Sequence, residues 1–221
     1  MKEYLPILRQ TPLFRGLSDA QVLTMLGCLS ATRRSYPKGA YVLREGDRVD
    51  AFGLLLEGSV HIVQEDFWGN RNIITGIGVG EVFAESYACL ADAPLAVSAI
   101  AQENATVLYL NVRRLLTTCA TACEYHNGVI HNLVAMLAAK NLRMNEKVQH
   151  ITQRTTREKL LSFLSAESRR VGSAAFSIPF NRQQLADYLS VDRSAMSSEL
   201  CKLRDEGQLR FQRDQFELLR A

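Results

Sequence analysis

At 221 residues and 24.7 kDa the chain is longer than one minimal domain and too short for three of average size, so two compact domains are expected. Hydrophobic residues make up 47% and charged ones 22%, a globular balance that excludes a disordered, collagenous or coiled-coil chain. The longest apolar run, Leu133 to Ala139, falls far short of the roughly 18 residues that span a bilayer, and MKEYLPILRQ holds no apolar stretch of signal-peptide length. A cytoplasmic location and no membrane partner are expected. Five cysteines, Cys28, Cys89, Cys119, Cys123 and Cys201, are odd in number and form no Cys-x-x-Cys pair, so reduced thiols are expected. The net charge of +3 divides unevenly. Residues 1 to 110 carry 9 Lys/Arg against 12 Asp/Glu, a net of −3, and residues 111 to 221 carry 17 against 11, a net of +6. Only the second half is suited to a polyanion.

Along the chain, Leu17, Val22, Met25, Leu26 and Leu29 fall at helical spacing behind Ser18, a natural N-cap. From Ser35 to Leu110 the texture changes to short β runs, YVL, FGLLL, SVHIV, NIITGI and ATVLYL, punctuated by glycines. Such runs predict a small sandwich, barrel or roll. QEDFWGNRN reads as a hairpin tip, since Gly69 and Asn70 tolerate positive φ. Helical texture then runs without proline from about Asn111 to about Gln149. Ile130, Leu133, Leu137, Met144 and Val148 recur there at spacings of three, four or seven, a seam for a paired helix and hence a homodimer, with packing on the chain's own β domain as the alternative.

Thr155 and Glu158 form a capping box that opens a further helix carrying Leu160, Phe163 and Leu164, and Gly172 with Ser173 breaks it. Ala174 to Phe180 reads as a short strand or an extended entry. Asn181 with Gln184 caps the next helix; Ser190-Val191 connects it to another begun by Asp192, lined by Met196, Leu200 and Leu203, and stopped at Gly207. Two helices so joined, the second showing Arg193, Ser194, Ser197 and Ser198 outward, are a helix-turn-helix pattern. Side chains near the start of its second helix reach base edges in a major groove. Leu209 to Phe211 and Phe216 to Leu219 form a wing hairpin whose Arg210 and Arg213 are candidates for phosphate contact, as is Arg182.

KGAYVLREGD, FGLLLEGSVHIV, GEVFAES with VSAIAQENATVLYL, and NRQQLADYLSVDRSAMSSEL, in that order and over nearly the whole chain, resemble the Crp/Fnr superfamily of bacterial transcription regulators. The resemblance implies an α+β protein: an N-terminal double-stranded, jelly-roll-like β-roll that senses an effector (residues 1–110), a long dimerisation helix (111–154) and a C-terminal winged helix-turn-helix (155–221). It implies a double-stranded DNA operator, near-palindromic and read by a homodimer with half-sites about 34 Å apart, and RNA polymerase as a partner if the protein activates. Effector positions by resemblance are Glu85 and Ser86, Val97 and Ser98, and Arg143 and Asn145 on the long helix, the latter two with solvated surface positions as the bland alternative.

Two departures bear on specificity. Relatives that bind cyclic nucleotides place an Arg at the position of Val97 to pair with the cyclic phosphate, whereas Ala93-Pro94-Leu95-Ala96 before it also lacks any cation, which argues against cyclic AMP. The family's common base-reading Glu and Arg are replaced by Ser194 and Ser198, which argues against the usual operator. No cofactor is assigned. An iron-sulfur cluster lacks its grouped cysteines, a haem- or redox-sensing relative of the same fold has His61, His126 and His131 to draw on, and a cupin-like metal enzyme lacks the converging histidines it needs. No metal site and no enzymatic activity are expected.

Overall fold

The computed structural model describes residues 1–65, 67–68, 71–90, 92–117 and 124–219. Its contacts divide the chain into two units, Met1–Ala138 and Ala139–Ala221, with the boundary inside the long helix.

In the first unit, α1 (Leu5–Gln10) and α2 (Asp19–Cys28) precede the strands, and Ser18 caps α2 through the reciprocal box with Gln21. The strands are β1 (Thr32–Tyr36), β2 (Tyr41–Leu43), β3 (Ala51–Glu57), β4 (Val60–Glu65), β5 (Arg71–Ile77), β6 (Val82–Phe83), β7 (Ser98–Ala101) and β8 (Ala105–Asn111). They form two antiparallel four-stranded sheets in the orders β1-β8-β3-β6 and β2-β7-β4-β5, the expected β-roll. β1 went unread in the sequence because it is TRRSY, a mostly exposed edge strand paired only with β8. Two cores result. Val42, Leu55, Val60, Ala99, Ala101 and Val107 close the roll, and Leu13, Phe14, Met25, Phe52, Leu54, Leu108 and Leu110 bind the N-terminal helices to it. Gly69 and Asn70 lie outside the described residues; Phe67 and Trp68 beside them are 95% and 81% exposed, ring edge to ring face at 5.9 Å.

The helical stretch after β8 is two helices. α4 (Val112–Leu116) ends at extended Thr117, and α5 runs from Glu124 to Ile151. Of the five predicted interface residues, Leu133 is 1% exposed inside the first unit's core and Ile130 and Leu137 pack against that core. Leu133 is fully used by the chain's own domain, while half-buried Ile130 and Leu137 keep part of their surface. Met144 and Val148 are 70% and 45% exposed, and Val134 and Leu142 join them as large exposed apolar residues. Cys119 and Cys123 lie outside the described residues; Cys28, Cys89 and Cys201 are free thiols.

In the second unit α6 (Thr156–Val171) is opened by the Thr155–Glu158 box and closed by Gly172 at φ +73. β9 (Ala175–Ser177) pairs with β11 (Gln215–Leu218), which pairs with β10 (Leu209–Gln212). α7 (Arg182–Leu189) and α8 (Arg193–Asp205) lie between, and Leu160, Phe163, Leu164, Leu185, Leu189, Met196, Leu200 and Leu203 make one core. Arg157 ties the start of α6 to α8, reaching Glu199 at 3.3 Å and both carboxylate oxygens of Glu206. His150 is buried against Phe163 and Tyr188, its Nδ1 2.8 Å from the Ser162 hydroxyl. Burial holds its imidazole below the ordinary 6.5, outweighing the pull of Glu146 and Glu167, with Arg169 adding to the depression.

Two predictions follow from these positions. Gly58 has φ +81, and a Cβ there would strike the Asn104 carbonyl and lie 2.9 Å from Ala105 Cα; Gly39 has a similar φ but open space. Gly58→Ala should cost about 2–4 kcal/mol in thermal or urea denaturation and Gly39→Ala about 1–2 kcal/mol, since only the first adds a clash to the strain. For His150, the unfolded chain takes up the proton first as pH falls, so stability declines from about pH 6.5 downward. The carboxylates held low by caps and Arg157, namely Glu158, Asp192 and Glu206, lose their share only below about pH 4.5. Urea midpoints at about pH 5.5 should therefore fall below those at about pH 7.5, and His150→Gln should shrink the difference.

Candidate nucleic-acid interface and effector site

The reading helix is set by its flanks. Ser190 ends α7 in the left-handed conformation at φ +52, and two residues later Asp192 accepts the Ala195 amide at 2.8 Å to begin α8. The Ser194 hydroxyl donates to the same carboxylate at 2.5 Å, and these two bonds hold Asp192 below the usual carboxylate range. Ser197 donates to the Arg193 carbonyl at 2.9 Å. Ser194 and Ser197, expected to read bases, thus spend their protons on their own helix and retain only acceptor capacity. Ser198 is exposed and, among the described residues, has no hydrogen-bond partner; Arg193 is exposed at the first position of the helix.

A groove of about 800 Å³ runs along the start of α7, lined among others by Asn181, Arg182, Gln183, Arg193, Arg213 and Asp214. It brings together three of the expected residues, Arg182, Arg193 and Arg213, from α7, α8 and the wing turn. Arg210 stands apart, 73% exposed and 3.7 Å from Glu217 across the hairpin. Arg182 departs from expectation. It is half-buried, with its guanidinium carbon 4.9 Å from the Phe211 ring centroid and 5.1 Å from that of Phe216, and burial lowers its pKa. Asn181 and Gln183 line the groove although neither was singled out; their places beside Arg182 at the opening of α7 were the available signal.

In the first unit the expected effector residues fall on two elements. Glu85 is buried in the first turn of α3 (Glu85–Cys89), which follows Ala84 at φ +62, and Ser86 beside it is exposed. Ser98 is buried on β7 and its hydroxyl accepts the Glu45 amide at 3.0 Å; Val97 is half-buried. The segment before them fits a phosphate poorly. Leu95 is buried, held by backbone bonds to Gly46 and Asp47, and no side chain of residues 93 to 98 carries a positive charge. A cyclic phosphate there would lack its counter-charge. In the second unit Arg143 and Asn145 are both exposed, and Asn145 donates to Asn141 at 2.9 Å.

Of the histidines, His126 is buried with Nε2 3.0 Å from the Arg114 carbonyl, His131 is exposed, and His61 holds a buried Nδ1 without a hydrogen-bond partner among the described residues. Among the described residues no three His, Cys, Asp or Glu side chains gather as a metal site, and no helix is long and apolar enough to cross a membrane.

Residues 33–122 match the cyclic nucleotide-binding domain family and residues 158–221 the Crp-like helix-turn-helix domain family. The chain is 26% identical over 209 residues to the cyclic AMP receptor protein of Thermus thermophilus, covering 92% of this chain and 90% of that one. It is 25% identical over 211 residues to cGMP-dependent protein kinase 2 of Homo sapiens, covering 93% of this chain but spanning only 26% of the kinase. The crystal structure of the Thermus thermophilus catabolite activator protein superposes with a TM-score of 0.51 at 25% identity, over 95% of this chain and 94% of that one. With both domains present in this order and matched along nearly its full length by a regulator of the same build, the chain belongs to the Crp/Fnr family of transcription regulators.

Proposed function

We propose that the protein is a homodimeric, sequence-specific DNA-binding regulator whose β-roll answers to an effector other than cyclic AMP. The observation that carries the DNA reading is Arg193: exposed at the first residue of α8, it shares one groove with Arg213 of the wing, so a helix and a hairpin offer cations to the same strand. Support for the effector reading comes from the uncharged segment around buried Leu95, with Glu85 buried nearby in sequence as a hydrogen-bonding group for a ligand hydroxyl or amine. Support for the dimer comes from Val134, Met144 and Val148, exposed apolar residues along α5, with Asn141 and Asn145 between them at seam spacing. A polar Asn in such a seam sets register at some cost in stability.

In vitro selection of bound DNA should return a palindrome with half-sites one helical turn apart; recovery of no consensus would sink the assignment. Arg193→Ala should lower affinity for the selected site by about 1–3 kcal/mol, and affinity should fall steeply with salt. Calorimetric titration with cyclic AMP should give no binding heat, and saturable micromolar binding would overturn the effector reading. Val134→Glu combined with Val148→Glu should convert the dimer to a monomer in analytical ultracentrifugation, whereas a persisting dimer would place the interface elsewhere.

A further inference from the structure

Arg182 occupies the second position of a helix-turn-helix, beside the groove, where an arginine ordinarily serves as a free cation. Here its planar group is seated on Phe211 and Phe216, which face each other across β10 and β11 with ring centroids 5.9 Å apart. Phe216 stacks in turn on Phe176 of β9 at 6.3 Å, and Arg204 of α8 approaches the Phe211 ring at 6.0 Å. The wing is thus clasped to α7 and α8 by two guanidinium groups that share one ring. Its two-residue turn is under tension: Arg213 adopts φ +54, a conformation that favours glycine, and Asp214 offers its carbonyl to the Ile178 amide at 2.9 Å. A non-glycine residue keeps such a conformation only where its surroundings hold it. The rings engage the face of the Arg182 guanidinium and so fix where it sits, whereas Arg213 makes no ring contact among the described residues.

We propose that Arg182 is a positioning residue that fixes the wing on α7, so that Arg213 and Arg193 border one groove for the DNA backbone. This deepens the DNA-binding reading above and rests on it for its consequence, though the clasp itself belongs to the free protein. Lysine does not substitute, because its compact, strongly hydrated ammonium does not stack as a planar guanidinium does.

Amide hydrogen exchange on the full-length protein without DNA gives the first arm. Arg182→Gln and Arg182→Lys should each speed exchange of β10 and β11 by roughly tenfold while α6 and α8 keep their protection. Unchanged wing exchange would overturn the proposal. The second arm is a double-mutant cycle on DNA affinity. Arg182→Gln should weaken binding by roughly tenfold in the parent chain and far less beside Arg213→Gln, because the wing cation it positions is already gone. Additive losses, with Lys restoring affinity, would instead make Arg182 a direct phosphate contact and defeat the idea. If Arg182→Gln fails to fold, Phe211→Leu removes the seat from the other side and should show the same non-additivity with Arg213→Gln. A parent chain that binds no DNA would refute the functional reading, and the exchange arm alone would then decide the clasp.

Discussion

The display of α8 depends on a connection of three residues. α7 has eight residues, too few to persist alone, and it is stopped by Ser190, which at φ +52 turns the chain and lets Val191 donate back to the Ala186 carbonyl at 3.0 Å. Asp192 then collects the Ala195 amide and the Ser194 hydroxyl, so the next helix begins at Arg193 and nowhere else. Because the stop and the start are this close, the angle between the helices is set locally, and Leu185, Leu189, Met196 and Leu200 have only to fill the space it leaves.

The two units solve different problems with their polar groups. In the second, several cations are paired within the fold: Arg157 binds Glu199 and Glu206, Arg170 binds Glu167 and Lys202 binds Glu199, which weakens the field these three present to DNA. What remains is placement. Arg193 and Arg213 converge on one groove, and a small excess so grouped acts at short range where a dispersed one would be screened. In the first unit the roll is closed by apolar side chains and by Gly58, whose missing Cβ admits the Asn104 carbonyl, and its polar interior is confined to residues such as Glu85 and Ser98.

Residues carrying both a backbone preference and a position were legible in advance. Ser18, Thr155, Asn181 and Asp192 all cap the helices they were expected to cap, because the signal lies within three residues of chain. The strands YVL, FGLLL and ATVLYL were likewise readable, being apolar runs between turns. The exposed edge strand TRRSY was not, since nothing in its composition differs from a loop and only pairing with β8 makes it a strand. In the site, Arg182, Arg193 and Arg213 line one groove, and the seat of Arg182 on Phe211 and Phe216 had no signal in the local sequence.

Sequence by itself determined the helix starts at Ser18, Thr155, Asn181 and Asp192, the order of β-roll, long helix and winged helix, and the absence of a cation in the segment from 93 to 98. Tertiary structure alone decided which stretch of the α5 seam packs on the first unit and which is left bare, because Ile130, Leu133, Met144 and Val148 carry the same periodicity and differ only in what stands against them. It also decided that Ser194 and Ser197 donate within their own helix cap and turn and that Arg182 lies against Phe211 and Phe216. A hydroxyl or a guanidinium is written identically whether its partner is solvent, backbone or a ring, and only the neighbours that folding brings up, Asp192, the Arg193 carbonyl and Phe211, settle its use.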